Sequence, residues 1–413
     1  MTKILINAYA CSPDMGSEPG MAWNWCVNLA NYCELFIITE GEFRQKIEAT
    51  IPMLPQGNNM RFYYNPVSEK VRRMCWNQGD WRFYRYYKKW QKSTADIARE
   101  ICKKEKIDIL HQLNMIGFRE PGYLWKVSRE TGIPFVWGPI DAKDSFPMAY
   151  AQKACFKTQL FLIAKNLITR LQLQFGNRVK AAANQASVVI GASSNSINSL
   201  KKYLNIDAKL INETGCHITS NSNSEEKQHS NLFNILWVGK FDFRKQLDLA
   251  LQALASINNK GIRLHIVGGG PDKQYKELAK KLGIFSCCIW HGTISHESVQ
   301  SIMKQSDLLI FTSVAEGTPH VVLEAIANKL PIICFDTCGQ GDCVDKSVGI
   351  KIPLTNPEQS VKDFANKIDY LNYHREILVQ MSENCPKRAK KLSWNNKAMQ
   401  MVNLYKEIRH GKN

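Results

Sequence analysis

Glu316 and Glu324 stand eight positions apart within residues 314–332, VAEGTPHVVLEAIANKLPI, a stretch otherwise rich in core-type side chains. Two carboxylates at this spacing can work as an acid–base pair or hold separate parts of one ligand. A retaining glycosidase needs its carboxyl groups about 5–5.5 Å apart across one scissile bond. A helix rises roughly 7.5 Å from Pro319 to Glu324 alone, and Glu316 stands further out in the loop. The spacing fits an elongated ligand, with sugar hydroxyls at one end, a ribose at the other and a diphosphate over the helix start. Thr318 reads as the N-cap of that helix, with Pro319 at its first position, where a missing N–H is not needed. The amides of His320 and Val321 then point at an anion that the helix dipole also favours. Gly317 lets a ligand come close to the backbone.

These residues need a strand before them and a helix after them, and the chain repeats that unit. Residues 3–9, KILINAY, read as a strand, followed by a loop with Gly16, Pro19 and Gly20, a helix over 21–31 and a strand at 34–39. Similar units recur at 107–113, 134–138 and 186–192. Residues 218–231, ITSNSNSEEKQHSN, are polar and aperiodic, which is a linker composition. A second series begins at 233–239 and continues with strands at 263–267, 307–312 and 331–335. The expected fold is α/β, with two doubly wound Rossmann-like domains, 1–217 and 232–393, facing a central crevice at the carboxyl ends of their strands. Residues 394–413 close the chain with a helix. Its periodicity leaves open which domain it covers, a return to the N-terminal domain included.

With the elements placed, the E-x7-E of EGTPHVVLEA closely resembles the donor-binding signature of the family 4 retaining glycosyltransferases, which have the GT-B fold. Residues 239–247, GKFDFRKQL, look like the family's G-R-L…K-G loop, with Lys240 at the arginine position and Lys245 at the lysine position. Gly268-Gly269-Gly270-Pro271 is similar to its G-x-G-P turn, and WHGT at 290–293 to its F-x-G-x strand end. SEPGMAWNW near the N-terminus resembles a subgroup tied to bacterial surface-polysaccharide assembly. The resemblance spans most of the chain, and the second domain carries nearly all its specificity.

The resemblance implies a hexosyltransferase that uses a nucleotide sugar, UDP- or GDP-linked, with no cofactor and no bound metal. It puts Lys240 and Lys245 on the diphosphate, Glu324 on the ribose and Glu316 on the donor sugar as a catalytic group. The backbone from Gly317 and Thr318 to His320 and Val321 supports sugar and phosphate, with Gly16 and Gly270 approaching the donor. Three departures from the family pattern matter, the first being Gly16-Ser17-Glu18-Pro19-Gly20 where the family often has Gly-Gly in its first loop. Lys240 replaces an arginine, so a two-pronged phosphate contact becomes a point charge. Where many members carry a histidine after the strand Phe135-Val136-Trp137, this chain has Gly138-Pro139, and His111 is the nearest substitute for a catalytic imidazole.

Composition narrows the partners. The chain has 413 residues, 44% apolar and 22% charged, as in ordinary soluble proteins of two domains. Its apolar runs fall far short of the roughly 20 residues of a spanning helix, and the N-terminal apolar stretch reads as a strand rather than a signal peptide. Thirteen cysteines without a CxxC pair fit reduced thiols in the cytoplasm. A formal charge of +17 implies an anionic partner or surface. Residues 69–92 hold eight basic, two acidic and seven aromatic residues, and residues 145–180 hold six basic and no acidic ones. In the latter, Phe156, Leu160, Ile163, Leu167 and Leu171 recur at helical spacing, a pattern of a core-facing helix or of one lying on a membrane. The expectation is a peripheral enzyme at the inner face of the cytoplasmic membrane, with a glycan or lipid-linked acceptor, an anionic membrane surface as partner and no nucleic acid.

Two further readings use the same residues. A GT-B epimerase or phosphorylase would occupy the same crevice, and a non-enzymatic basic protein would bind nucleic acid or membrane without using Glu316 or Glu324. The first βα turn lacks G-x-G-x-x-G and the chain has no P-loop, which disfavours nicotinamide and P-loop chemistry. The donor sugar, base, acceptor and linkage are not legible.

Overall fold

The computed structural model describes residues 1–77, 80–218, 232–257 and 261–411. Thirteen strands form two all-parallel sheets among these residues. The first contains β1 Thr2–Ala8, β2 Cys33–Thr39, β3 Met60–Tyr64, β4 Ile109–Asn114, β5 Phe135–Ile140, β6 Val188–Gly191 and β7 Lys209–Leu210, in the order β3-β2-β1-β4-β5-β6-β7. The second contains β8 Phe233–Val238, β9 Ile262–Val267, β10 Cys288–Gly292, β11 Leu308–Phe311, β12 Ile332–Phe335 and β13 Gly349–Ile352, in the order β10-β9-β8-β11-β12-β13.

Both orders reverse direction once, at β1/β4 and at β8/β11, and such a switch point opens a ligand crevice beyond the strand ends. Central strands are apolar on both faces because helices cover both sides of a parallel sheet. In the first sheet Ile4 and Ile6 pack into one buried cluster and Leu5 into another. In the second, Ile235 and Ile310 face one cluster, while Leu236 and Leu309 face the other.

The chain divides into two compact units, one of residues 1–144, 168–214 and 394–413, the other of 145–167 and 215–393. This differs from the boundaries expected at 1–217 and 232–393. Residues 145–167 group with the second unit because Tyr150 enters its core. The Tyr150 ring meets Phe335 edge-on at 5.5 Å, and its hydroxyl lies 2.7 Å from Ser360 Oγ. The last helix, Trp394–His410, belongs to the first unit. Trp394 meets Trp25 edge-on at 5.7 Å, and Met401 and Tyr405 are buried in the same cluster. Of the expected linker, residues 219–231 lie outside the described residues.

Candidate functional site

The segment that carries both glutamates leaves the carboxyl end of β11, beside the switch point of the second sheet. Four fully buried residues, Leu308–Phe311, fix that strand. The next residues then tie to the loop after β8. Thr312 Oγ1 donates to the Lys245 carbonyl at 2.7 Å and accepts from Trp237 Nε1 at 3.0 Å. The Val314 amide donates to the Arg244 carbonyl at 3.0 Å. Two stretches about 70 residues apart in sequence thus meet through backbone bonds, which place Lys245 against Glu316.

Lys245 Nζ lies 2.5 Å from Glu316 Oε1, and Ser313 Oγ donates to the same oxygen at 2.5 Å. Both charged side chains are mostly shielded, at 18% and 19% exposure. The ammonium also sits 5.6 Å from the centre of the Phe311 ring. A pair so enclosed keeps its geometry better than a solvated one. Arg244 is committed elsewhere, gripping the Asp242 carboxylate, with Nη2 donating to Oδ2 at 2.8 Å. Lys240 is exposed at the mouth of the same loop.

The helix begins one residue later than its sequence suggests. It spans His320–Ala327, and Pro319, with ψ 123°, is the N-cap. Thr318 is therefore not the cap, because the extended ψ of Pro319 delays helical geometry until His320. The first helical amide bond runs from Val322 to the Pro319 carbonyl at 3.1 Å. The His320 and Val321 amides precede that bond, as an anion site at this end requires. The Gly317 carbonyl accepts from the Gly339 amide at 3.0 Å, and a Cβ on Gly339 would stand 2.5 Å from Thr318 Cα. Gln340 Nε2 donates to the Ser313 carbonyl at 3.0 Å. These two residues after β12 brace the loop. Residue type and spacing do not show this role, because the contact is tertiary.

Glu324, one helical turn further on, is half-buried. It accepts from Gln300 Nε2 at 3.3 Å and lies 3.2 Å from His296 Nε2. Both partners come from the helix His296–Gln305 and escaped the sequence reading, since no motif marks them. Gly270, with φ +124°, turns toward Phe241: a Cβ there would stand 3.2 Å from the Phe241 Cβ. Its visible role is to admit the β8 loop.

The remaining candidates lie in the first unit. Gly16 is the extended N-cap of the helix Ser17–Leu29, and a Cβ there would meet open space. Next to it, burial pushes the Glu18 carboxyl up to about 7, against the pull of the Ile116 amide that donates to it at 3.1 Å. His111 does not fit the catalytic role expected of it. It is fully buried, with Nε2 2.6 Å from the Gly138 carbonyl and Nδ1 2.6 Å from the Tyr405 hydroxyl. The carbonyl can only accept, so Nε2 carries the proton and Nδ1 accepts from tyrosine. Burial pushes the imidazole down to about 4. A neutral ring with both nitrogens engaged and no surface cannot reach a reacting group.

Part of the aromatic stretch at 69–92 is structural, while Trp76, Trp81 and Tyr84 stay exposed. Phe83, Tyr87 and Trp90 are buried around Tyr9, all three within 5.7 Å of its ring centre. Residues 78–79 of that stretch lie outside the described residues.

Comparison with known proteins adds the following. Residues 186–391 match the family model described as Glycosyl transferases group 1. Lipopolysaccharide glucosyltransferase WaaG of Escherichia coli K12 is 33% identical over 145 residues, 34% of this chain and 38% of that protein. Protein CapJ of Staphylococcus aureus is 32% identical over 152 residues, 35% of this chain and 38% of that protein. The chain thus spans well under half the length of these curated relatives. The crystal structure of Anabaena Alr3699/HepE in complex with UDP aligns over 98% of this chain and all of that one, with a TM-score of 0.62 and 14% identity. That likeness covers both units and identifies the fold as GT-B.

Proposed function

Since the chain belongs to the group 1 glycosyl transferases through residues 186–391, we propose that it moves a sugar, with retention of configuration, from a nucleotide sugar to a glycan or lipid-linked acceptor. The observation that carries the reading is the shielded Lys245–Glu316 pair, placed at the carboxyl end of β11 just before the open amides of His320 and Val321. A donor laid along this segment puts its diphosphate over the helix start, where Lys245 and the exposed Lys240 supply positive charge without a metal. Glu316 then holds hydroxyls of the donor sugar, and Glu324, one turn on, holds the ribose. For Glu324 the ribose takes the place of His296 and Gln300.

In the reaction the bond between the anomeric carbon and the diphosphate oxygen breaks, and charge develops on the leaving diphosphate. In this reading Lys245, held beside the loop by Glu316, and the helix-start amides meet that charge as it grows. The acceptor hydroxyl attacks from the same face and passes its proton to the leaving phosphate oxygen. No protein nucleophile takes part. The UDP in the HepE structure supports a UDP-linked donor, and the name of the E. coli relative supports work on lipopolysaccharide or a similar surface polysaccharide.

Product analysis tests this directly. Incubation with UDP-, GDP- and ADP-sugars and glycan or lipid-linked acceptors should give a new glycosidic bond of the donor's anomeric configuration. Glu316→Ala should abolish it while the protein stays folded. Free epimerised nucleotide sugar, sugar phosphate or an inverted linkage would contradict the proposal.

A further inference from the structure

The helix Phe156–Phe175 is apolar on two opposite sides. Its inward side is short. Leu162, Thr169 and Leu173 are buried and fall within about 40° of arc at the helical repeat. On the other side Phe156, Leu160, Ile163, Leu167 and Leu171 fall within about 80° of arc, nearly opposite, and Phe161, Ile168 and Phe175 widen that face. These eight side chains are between 46% and 72% exposed. An ordinary surface helix shows water its polar side, and contiguous apolar surface of this size marks an interaction site.

Charge identifies the occupant. Residues 145–180 hold six basic and no acidic residues. Lys165 and Arg170 lie at the two edges of the apolar arc, Arg170 also 3.9 Å from the Asp144 carboxylate, and Lys157 lies within it, where long stems can run along apolar surface and lift their charges to a boundary. A second copy of this chain, itself at +17, would set basic edge against basic edge and be repelled. A bilayer containing anionic lipid satisfies both features, since acyl chains take the apolar face and headgroups the basic rim. Among the described residues no helix is long and apolar enough to cross a membrane. We propose that the helix Phe156–Phe175 lies flat on an anionic bilayer, apolar arc downward. This rests on the glycosyltransferase reading only for its purpose, to bring the enzyme to a lipid-linked acceptor.

The test uses the full chain, sedimented with vesicles of phosphatidylcholine alone or with added phosphatidylglycerol, at low and high salt. Wild type should pellet with the anionic vesicles, less so at high salt. The double variant Leu160→Gln/Leu167→Gln alters only exposed side chains, and it should bind at least about tenfold more weakly, a change of about 1.4 kcal/mol. Its melting curve and its nucleotide-induced shift should match wild type. The proposal is overturned if wild type stays in the supernatant at low salt or if the double variant pellets equally well. It is also overturned if wild type is a dimer that the variant dissociates, with no vesicle binding. Vesicle binding without any nucleotide shift would instead sink the donor-site reading and leave the membrane surface standing.

Discussion

Lys245 is the residue on which the proposed donor site turns, because its ammonium is shielded and held by Glu316, whose carboxylate also accepts from Ser313. Lys245→Ala should weaken nucleotide-sugar binding by about 1.5–3 kcal/mol, the scale of hydrogen bonds to charged groups. Calorimetry would read this as roughly a 10- to 150-fold rise in Kd, and an unchanged Kd and turnover would remove Lys245 from the site. His111 makes a different prediction. The folded ring titrates at about 4, whereas an unfolded histidine titrates near 6.5. The unfolded chain therefore takes up a proton first as pH falls. Stability should be full above about pH 6.5 and drop by about 3 kcal/mol as pH approaches 4. Urea unfolding across that range checks it, and His111→Asn should flatten the slope at the cost of two hydrogen bonds. An identical slope in the variant would show that other groups carry the acid sensitivity. E-x7-E and the loop lysine are local patterns, so the sequence points to Glu316, Glu324 and Lys245, and the structure brings Lys245 against Glu316. The enclosure of His111 was not legible, since it depends on Tyr405, nearly 300 positions away in the chain.

The elements that hold the site are the β8 loop, the β11 loop and the turn after β9. Gly268 joins two of them. With φ +153°, it faces the Gly239 carbonyl so closely that an added Cβ would lie 1.8 Å from that oxygen. Gly268→Ala should therefore destabilise the second unit by at least about 1–3 kcal/mol, the scale of a forced backbone strain. It should also weaken nucleotide binding, because the loop carrying Lys245 must shift. Thermal unfolding with and without nucleotide reads both effects, and a wild-type melting curve would contradict the packing described. The central strands were readable as apolar runs between Gly-bearing turns. The strands β3, β7 and β13 were not, since they are short edge strands whose exposed positions break the run. The start of the helix at His320 rather than Pro319 turns on one proline ψ angle, which residue type does not fix. His296 and Gln300 reach Glu324 from a neighbouring helix and leave no trace in local spacing.

At the scale of the whole molecule, the two βα series announced two doubly wound units, and the excess of positive charge is the ground for proposing an anionic surface as partner. Composition could not say how the chain shares its residues between the units. Residues 145–167 group with the second unit through Tyr150, and the last helix groups with the first through Trp394 and Tyr405. The two proposals give the excess of charge two destinations, the donor diphosphate and the basic rim of the helix Phe156–Phe175, and these answer to different ligands. The central claim concerns the first. Thermal unfolding of the full chain against UDP, GDP, ADP and their sugar conjugates, with and without magnesium, tests it most directly. A ligand held only by the folded state adds about 2.7 kcal/mol at a hundredfold excess over its Kd. One nucleotide family should raise Tm without magnesium, and Glu324→Ala should lose the shift. No shift with any nucleotide from a folded sample, or an equal shift in Glu324→Ala, would contradict the grip assigned to VAEGTPHVVLEA.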